Sequence, residues 1–127
     1  MRKDGPEITV TTTAAYPRNT LLKVNSNGTY SAAGATPSEL KLVSGIQLAT
    51  TFAAGKTTMR LLGAGMTHEF LTSGAITDMA VPLTVAADGK VVAGGAGPRI
   101  AMPLHAAASG EYVEGRLLVH QTDPSDS

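Results

Sequence analysis

Cysteine is missing from all 127 residues, so no disulfide, thiol nucleophile or Cys-ligated zinc enters the reading of this chain. A chain without cysteine is compatible with a reducing cytoplasm. Tryptophan is missing too, and aromatic residues make up only 4%. The core must be built from Val, Leu, Ile, Ala and Met. Such shallow side chains suit a thin sandwich or a narrow barrel better than a deep ligand pocket. Net charge is also missing, because ten basic residues balance ten acidic ones. Without a basic stripe there is no nucleic-acid footprint, and there is no polybasic patch for a membrane. Weak self-repulsion is permissive of assembly. The apolar runs are too short to span a bilayer. The start, MRKDGPEITV, has charges but no apolar segment behind them, so it is not expected to be a signal peptide.

What is present points to an all-β protein. The length fits one domain, or one domain made of two fused halves, and a chain of this size buries roughly two-thirds of its unfolded surface. Fourteen glycines and seven prolines punctuate the chain, at the spacing expected of sandwiches and barrels. Strands are expected at Thr20–Val24, Thr29–Ala32, Lys41–Ala49 with a bulge at Gly45, Thr57–Leu62 and Met66–Leu71. Further strands are expected at Ala80–Val85, Lys90–Ala93, Arg99–Leu104 and Tyr112–His120. Asn27-Gly28 and Asp88-Gly89 read as hairpin turns, Asn27-Gly28 as type I′ with positive φ at both central residues. Helix is limited to single turns near Ala49–Ala54 and Ala106–Ser109. The polar tail, residues 121–127, is expected to be disordered.

The chain also carries an imperfect copy of itself. Sliding it by 61 positions lays LKVNSNGTYSAAGATP (Leu22–Pro37) over LTVAADGKVVAGGAGP (Leu83–Pro98) without a gap, with seven of sixteen residues identical. Beyond this the register shifts. Ile46, Gly55 and Leu61-Leu62 then correspond in order to Ile100, Gly110 and Leu117-Leu118. A repeat over residues 20–62 and 81–118 implies two similar β-units packed face to face, each covering what the other cannot bury alone.

Catalytic motifs are not recognisable. Gly55-Lys56-Thr57 resembles the end of a phosphate-binding loop, but the leading glycine position is Thr50 and a strand follows instead of a helix. Gly63-Ala64-Gly65 begins a dinucleotide fingerprint whose third glycine position is His68. His68, His105 and His120 have no ligand spacing and read as surface or internally satisfied histidines. Serines are common, yet there is no nucleophile elbow. Glu111 and Glu114, three apart on a strand, are expected to face opposite sides and make a poor carboxylate pair. Neither a metal nor another cofactor is expected, and the chain is not expected to be an enzyme.

Residues 1–15 stand apart in composition. The stretch Glu7, Ile8, Thr9, Val10, Thr11, Thr12 and Thr13 is β-branched from Ile8 onward but carries little apolar surface. They read either as a frayed terminal strand or as an extended arm that orders by adding to the edge of a partner's sheet. The division expected is an arm at 1–15, a barrel domain at 16–120 and a tail at 121–127.

The second half, AVPLTVAADGKVVAGGAG followed by RIAMPLHAAASGEYVEGRLL, resembles the small capsid cement or head-decoration proteins of tailed phages. The first half looks similar to the same unit. Its Gly45-Ile46-Gln47-Leu48-Ala49 strand behind an N-terminal arm is similar to the core of lambda-type head-decoration proteins. An alanine-rich helix-like segment of that family is shorter here, and Pro103 interrupts an apolar strand, which suggests an edge or a bulge. The resemblance implies a small β-barrel or β-tulip-like sandwich of two similar units with an extended arm. It implies a structural virion protein on the outer capsid surface, made in the host cytoplasm. Its partner would be the major capsid protein, whose neighbouring subunits it would clamp as a homotrimer at threefold or local threefold positions. The arm, Glu7 to Thr13, would be the capsid-binding segment. No direct nucleic-acid or membrane contact is implied. The other readings are a tail-tube or head–tail connector subunit and, from a different class, a small β-barrel ligand-binding domain.

Overall fold

A computed structural model describes residues 7–63 and 66–118. The expected strand to His120 and the tail expected to be disordered therefore reach outside the described residues. Ten strands follow in order: β1 (Glu7–Thr12), β2 (Leu21–Val24), β3 (Tyr30–Ala32), β4 (Val43–Gln47), β5 (Gly55–Leu61), β6 (Thr67–Leu71), β7 (Leu83–Val85), β8 (Val91–Ala93), β9 (Arg99–Pro103) and β10 (Tyr112–Leu117). The two expected helical turns are not formed. One 3-10 segment occurs instead at Pro37–Leu42, where proline occupies the start and can spare its missing N–H, and a short one at the turn Ala87–Gly89.

The first five strands close into a barrel in the order β1-β3-β2-β4-β5, and the last five form a curled sheet in the order β6-β10-β9-β7-β8. These are the same circuit. β2 pairs antiparallel with β3 through Leu22↔Ala32, Lys23↔Ser31 and Val24↔Tyr30. β7 pairs with β8 through Leu83↔Ala93, Thr84↔Val92 and Val85↔Val91. The register shifts between Leu22 and Lys23 opposite β4, and between Leu83 and Thr84 opposite β9. The extra residue of the bulge is Ser44 in one unit and Ile100 in the other. Since Leu22 pairs with Gly45 and Leu83 with Ala101, Ile46 corresponds to Met102 and not to Ile100. The unaided sequence match slipped here by the two residues that separate Ile100 from Met102.

Closure is repeated as well. β1 lies antiparallel to β5 and meets β3 in parallel at Thr12↔Tyr30. β6 lies antiparallel to β10, and the next residue, Thr72, makes the same parallel bridge to Val91. At each closure a buried threonine ties the ends. Thr12 Oγ1 donates to the carbonyls of Ala14 (3.0 Å) and Gly55 (3.1 Å), and Thr72 Oγ1 to those of Ala108 (3.0 Å) and Glu111 (2.8 Å). Residues 7–12, read from the sequence as part of an arm outside the barrel, thus form its closing strand, with six register pairs to β5 from Glu7↔Arg60 to Thr12↔Gly55.

The cores are unequal. Inside the first barrel the buried apolar side chains are Val10, Leu22 and Met59, with Tyr16, Tyr30 and Leu61 packed around them. The larger cluster centres on Phe70, Leu83, Val85, Val91, Ile100, Val113 and Leu117 of the second unit, and draws in Leu21, Ala33 and Ile46 from the first. Leu21 and Leu22 are consecutive, so they point to opposite faces of β2. Leu22 fills its own barrel and Leu21 the junction. Each such fully buried side chain contributes about 1.5–3 kcal/mol. Gly45 is needed where β4 crosses β5, because a Cβ there would lie 2.4 Å from the Arg60 carbonyl oxygen and 2.6 Å from Met59 Cγ. Pro103 closes β9 beside Gly115 of β10, beyond the last β7 pair at Ala101, so its missing donor breaks no ladder on the β7 side.

Replacing either closing threonine with its isostere tests this account. Thr12→Val and Thr72→Val should each lower stability by about 1–3 kcal/mol, since buried carbonyls lose their donor while the volume is kept. Urea unfolding reads this as a lower midpoint at unchanged slope. An unchanged midpoint in both variants would show that closure does not depend on them.

Candidate functional site

Three surfaces stand out: the outer face of β1, the cleft where the two units meet, and the flank of the second unit. Alternation along β1 divides the seven residues expected to form a binding arm. Val10 and Thr12 are buried inside the barrel, while Glu7, Thr9, Thr11 and Thr13 are exposed to solvent. Ile8 shares the inward side with Val10 but lies at the barrel end, 38% exposed. On its β5 side the strand is fully paired. On its β3 side the one ladder pair is Thr12↔Tyr30. The stretch Glu7–Thr11 therefore keeps an open backbone edge next to a row of exposed threonines.

The junction cleft has a volume of about 230 Å³ and is lined by Arg18, Asn19, Ile46, Leu48, Arg60, His68 and Glu69. Asn19 is buried, with φ at 69°, a conformation Asn tolerates better than most residues. Its Nδ2 donates to the Glu69 backbone oxygen (3.0 Å) and to Glu69 Oε1 (2.8 Å). Arg18 reaches the same carboxylate at 3.9 Å and lies over the Tyr112 ring at 4.6 Å from its centroid. Hydrogen bonding to Tyr112 and then its charge raise the Arg18 guanidinium above its ordinary value, against desolvation, with Glu69 adding to the rise. On the far wall Arg60 pairs with Glu7 of β1 at 3.3 Å.

His68, read as a surface or internally satisfied histidine, is of the second kind. It is buried and its Nε2 accepts the Gly63 amide at 3.2 Å, which leaves the ring proton on Nδ1. Its neighbour Glu69 faces out, as strand alternation requires. Within the cleft the bonds from Asn19 to Glu69 tie β6 to the first barrel. Among the described residues no three His, Asp or Glu side chains converge on a metal position. His105 lies on the β9–β10 loop, where its Nε2 accepts the Glu114 amide at 3.1 Å. Glu111 and Glu114 are both exposed, Glu111 in the turn before β10 and Glu114 on the strand opposite Glu69.

The second unit docks through its hairpin turn. Asp88 and Gly89 both have positive φ, 64° and 71°. The Gly89 amide donates to the Ala33 carbonyl at 2.7 Å. A Cβ on Gly89 would lie 2.5 Å from the Leu21 carbonyl oxygen and from Thr20 Cγ2. The matching turn of the first unit is free. Gly28 has φ at 87°, and a Cβ there would meet nothing within 4 Å. Asn27 is not in the left-handed region, so this turn is not the type I′ expected. The Gly28 amide folds back to the Asn25 carbonyl at 3.0 Å. Sequence reading matched the two turns but could not tell the docked one from the free one. The cleft residues Arg18, Asn19 and Glu69 were missed altogether, and their one local signal is Asn19, a residue type suited to a left-handed position after Pro17.

Gly28→Ala and Gly89→Ala separate conformation from docking. Both put a Cβ at positive φ, which costs about 1–2 kcal/mol. Gly89→Ala must also displace the Leu21 carbonyl, so its loss of stability should be clearly larger. Equal losses in chemical denaturation would refute the docked turn as a packing constraint.

No protein-family model matches the chain, and no curated protein sequence matches it. Among solved structures, the fold is similar to the crystal structure of the N base of the head fiber protein gp8.5 of bacteriophage phi29. The TM-score is 0.70, the match covers 91% of this chain and 96% of that one, and 13% of residues are identical. At that identity the likeness is one of fold, and it extends over both the barrel and the curled sheet.

Proposed function

We propose that the protein is a structural part of a phage virion, seated on the outer capsid surface, with a binding and not a catalytic role. The observation that carries this reading is the shared fold over nearly the full length of both this chain and the head fiber base of phi29. The resemblance of the sequence to capsid decoration proteins supports the same assignment from a separate direction. A head protein as structural neighbour favours the capsid over a tail tube or connector. In this reading the partner is the major capsid protein, and neighbouring capsid subunits are clamped by a homotrimer at threefold or local threefold positions.

The contact proposed is the open edge of β1 with its outward row Glu7, Thr9, Thr11 and Thr13. An exposed strand edge can accept a strand from a partner, with main-chain hydrogen bonds supplying affinity. Truncating residues 1–15 cannot test this, because it removes Val10 from the core of the first barrel along with the closing strand. Lysines on an edge strand oppose strand addition without loss of core packing. Purified protein mixed with capsids lacking it should pellet with them and saturate. The Thr9→Lys/Thr11→Lys variant should bind about tenfold or more weakly, a loss of at least about 1.4 kcal/mol, with its unfolding midpoint unchanged. Wild-type protein that stays in the supernatant at every concentration would overturn the virion reading. A variant that binds like wild type would overturn the β1 contact alone.

A further inference from the structure

Repetition gives every surface of one unit a counterpart on the other, and the internal junction uses only one of each pair. On the first barrel the flank carrying Leu21, Ile46, Leu48 and Arg60 is covered, with Ile46 and Arg60 paired across β4 and β5. On the second unit the same register positions are Pro82, Met102, Leu104 and Arg116, with Met102 and Arg116 paired across β9 and β10. The hydrogen bond from the Leu48 amide to the Thr58 carbonyl, 3.0 Å, reappears as Leu104 to Glu114, 2.9 Å, which fixes that correspondence. Among the described residues this second flank is only partly covered, with Pro82 and Met102 half-buried. Leu104 is 51% exposed and Arg116 is exposed. Arg116 has no ion pair among the described residues.

The covering end is duplicated too. The end of the second unit that caps the junction presents His68 and Gly89. By register the first unit presents Ile8 and Gly28 at the same places, and both are exposed. Three large hydrophobic side chains are exposed among the described residues, Ile8, Leu104 and Phe52. Two of these three lie on the unused flank and the unused end. Glu7, one residue before Ile8, is a half-exposed carboxylate at that end, already 3.3 Å from Arg60, and Arg116 is a cation on that flank. Opposite charges beside the two apolar side chains make the end and the flank complementary.

We infer that copies of this chain associate head to tail, with the Ile8 end of one copy's first barrel against the Pro82–Met102–Leu104 flank of the next copy's second unit. The occupant is a second copy because the chain already makes this kind of contact once, barrel end on barrel flank, within itself. The new contact is not a strict replica of the internal one. The Gly28 amide is already bonded to Asn25. The longer crossover of the first barrel, with its 3-10 segment, is held over β2 by Lys23 and Glu39 at 3.1 Å. The contact therefore falls on the β1 side, where Ile8 lies. A contact between unlike surfaces closes into a ring or continues as a filament.

The absence of native cysteine makes a direct test possible. Ile8→Cys and Leu104→Cys are prepared as separate single variants, mixed, and treated with a short bismaleimide. The mixture should give a covalent dimer well above either variant alone. Light scattering should show a wild-type mass above that of one chain, and Leu104→Asp should return it to a single chain with its unfolding midpoint retained. A mixture that cross-links no better than the separate variants would overturn the inference. So would strong cross-linking of Leu104→Cys with itself, which marks a contact between like surfaces, or a wild-type mass of one chain at all concentrations. A protein of single-chain mass that still pellets with capsids would sink this contact and leave the virion reading standing.

Discussion

The structure depends on one apolar core that its two units share. The first barrel's own apolar cluster is small, with Val10, Leu22 and Met59 buried and Tyr16, Tyr30 and Leu61 packed against them. The second unit supplies what is missing by covering the flank at Leu21, Ala33 and Ile46 and merging those residues with its own core. The close approach at Gly89, where backbone meets backbone, is the point on which that junction turns. The rest of the chain is arranged around a closed barrel and a curled sheet of the same circuit that share one core.

The junction also explains the chemistry of the cleft. Strand β6 has to enter the second unit directly beside the first barrel. Its polar groups there cannot be left without partners, since a buried unsatisfied group costs about 1–3 kcal/mol. Asn19, Arg18 and Glu69 satisfy one another, and His68 takes the Gly63 amide. Titratable groups gathered in a cleft suggest chemistry at first sight. Here Asn19 bonds to Glu69 across the junction, so the arrangement orients one unit against the other.

Much of this was legible in the sequence. Asp88-Gly89, Gly28 and the spacing of glycine and proline marked the hairpins, because such turns need residues that tolerate positive φ. The match of Leu22–Pro37 with Leu83–Pro98 marked the duplication, since both hairpins keep the same inward Leu and Val. The cleft was not legible. Arg18 and Glu69 are far apart in sequence, and their meeting depends on how two barrels dock. Strand β1 misled for a related reason. With threonine at half its positions it reads as too polar to belong to a core, yet Val10 needs only Leu22 and Met59 across the barrel to be buried, and Thr12 offsets its burial with hydrogen bonds to the Ala14 and Gly55 carbonyls.

The sequence by itself determined the all-β class, the hairpin turns and the presence of two like units, because these follow from local conformational preference and from alternation with a period of two. Tertiary structure alone decided which of two like turns is docked, which of two like flanks is covered, and that a threonine-rich segment closes a barrel instead of hanging free. Those outcomes depend on distances between parts of the chain forty or more residues apart. Like units have like local sequences, so local preference cannot say which copy faces the other and which faces water.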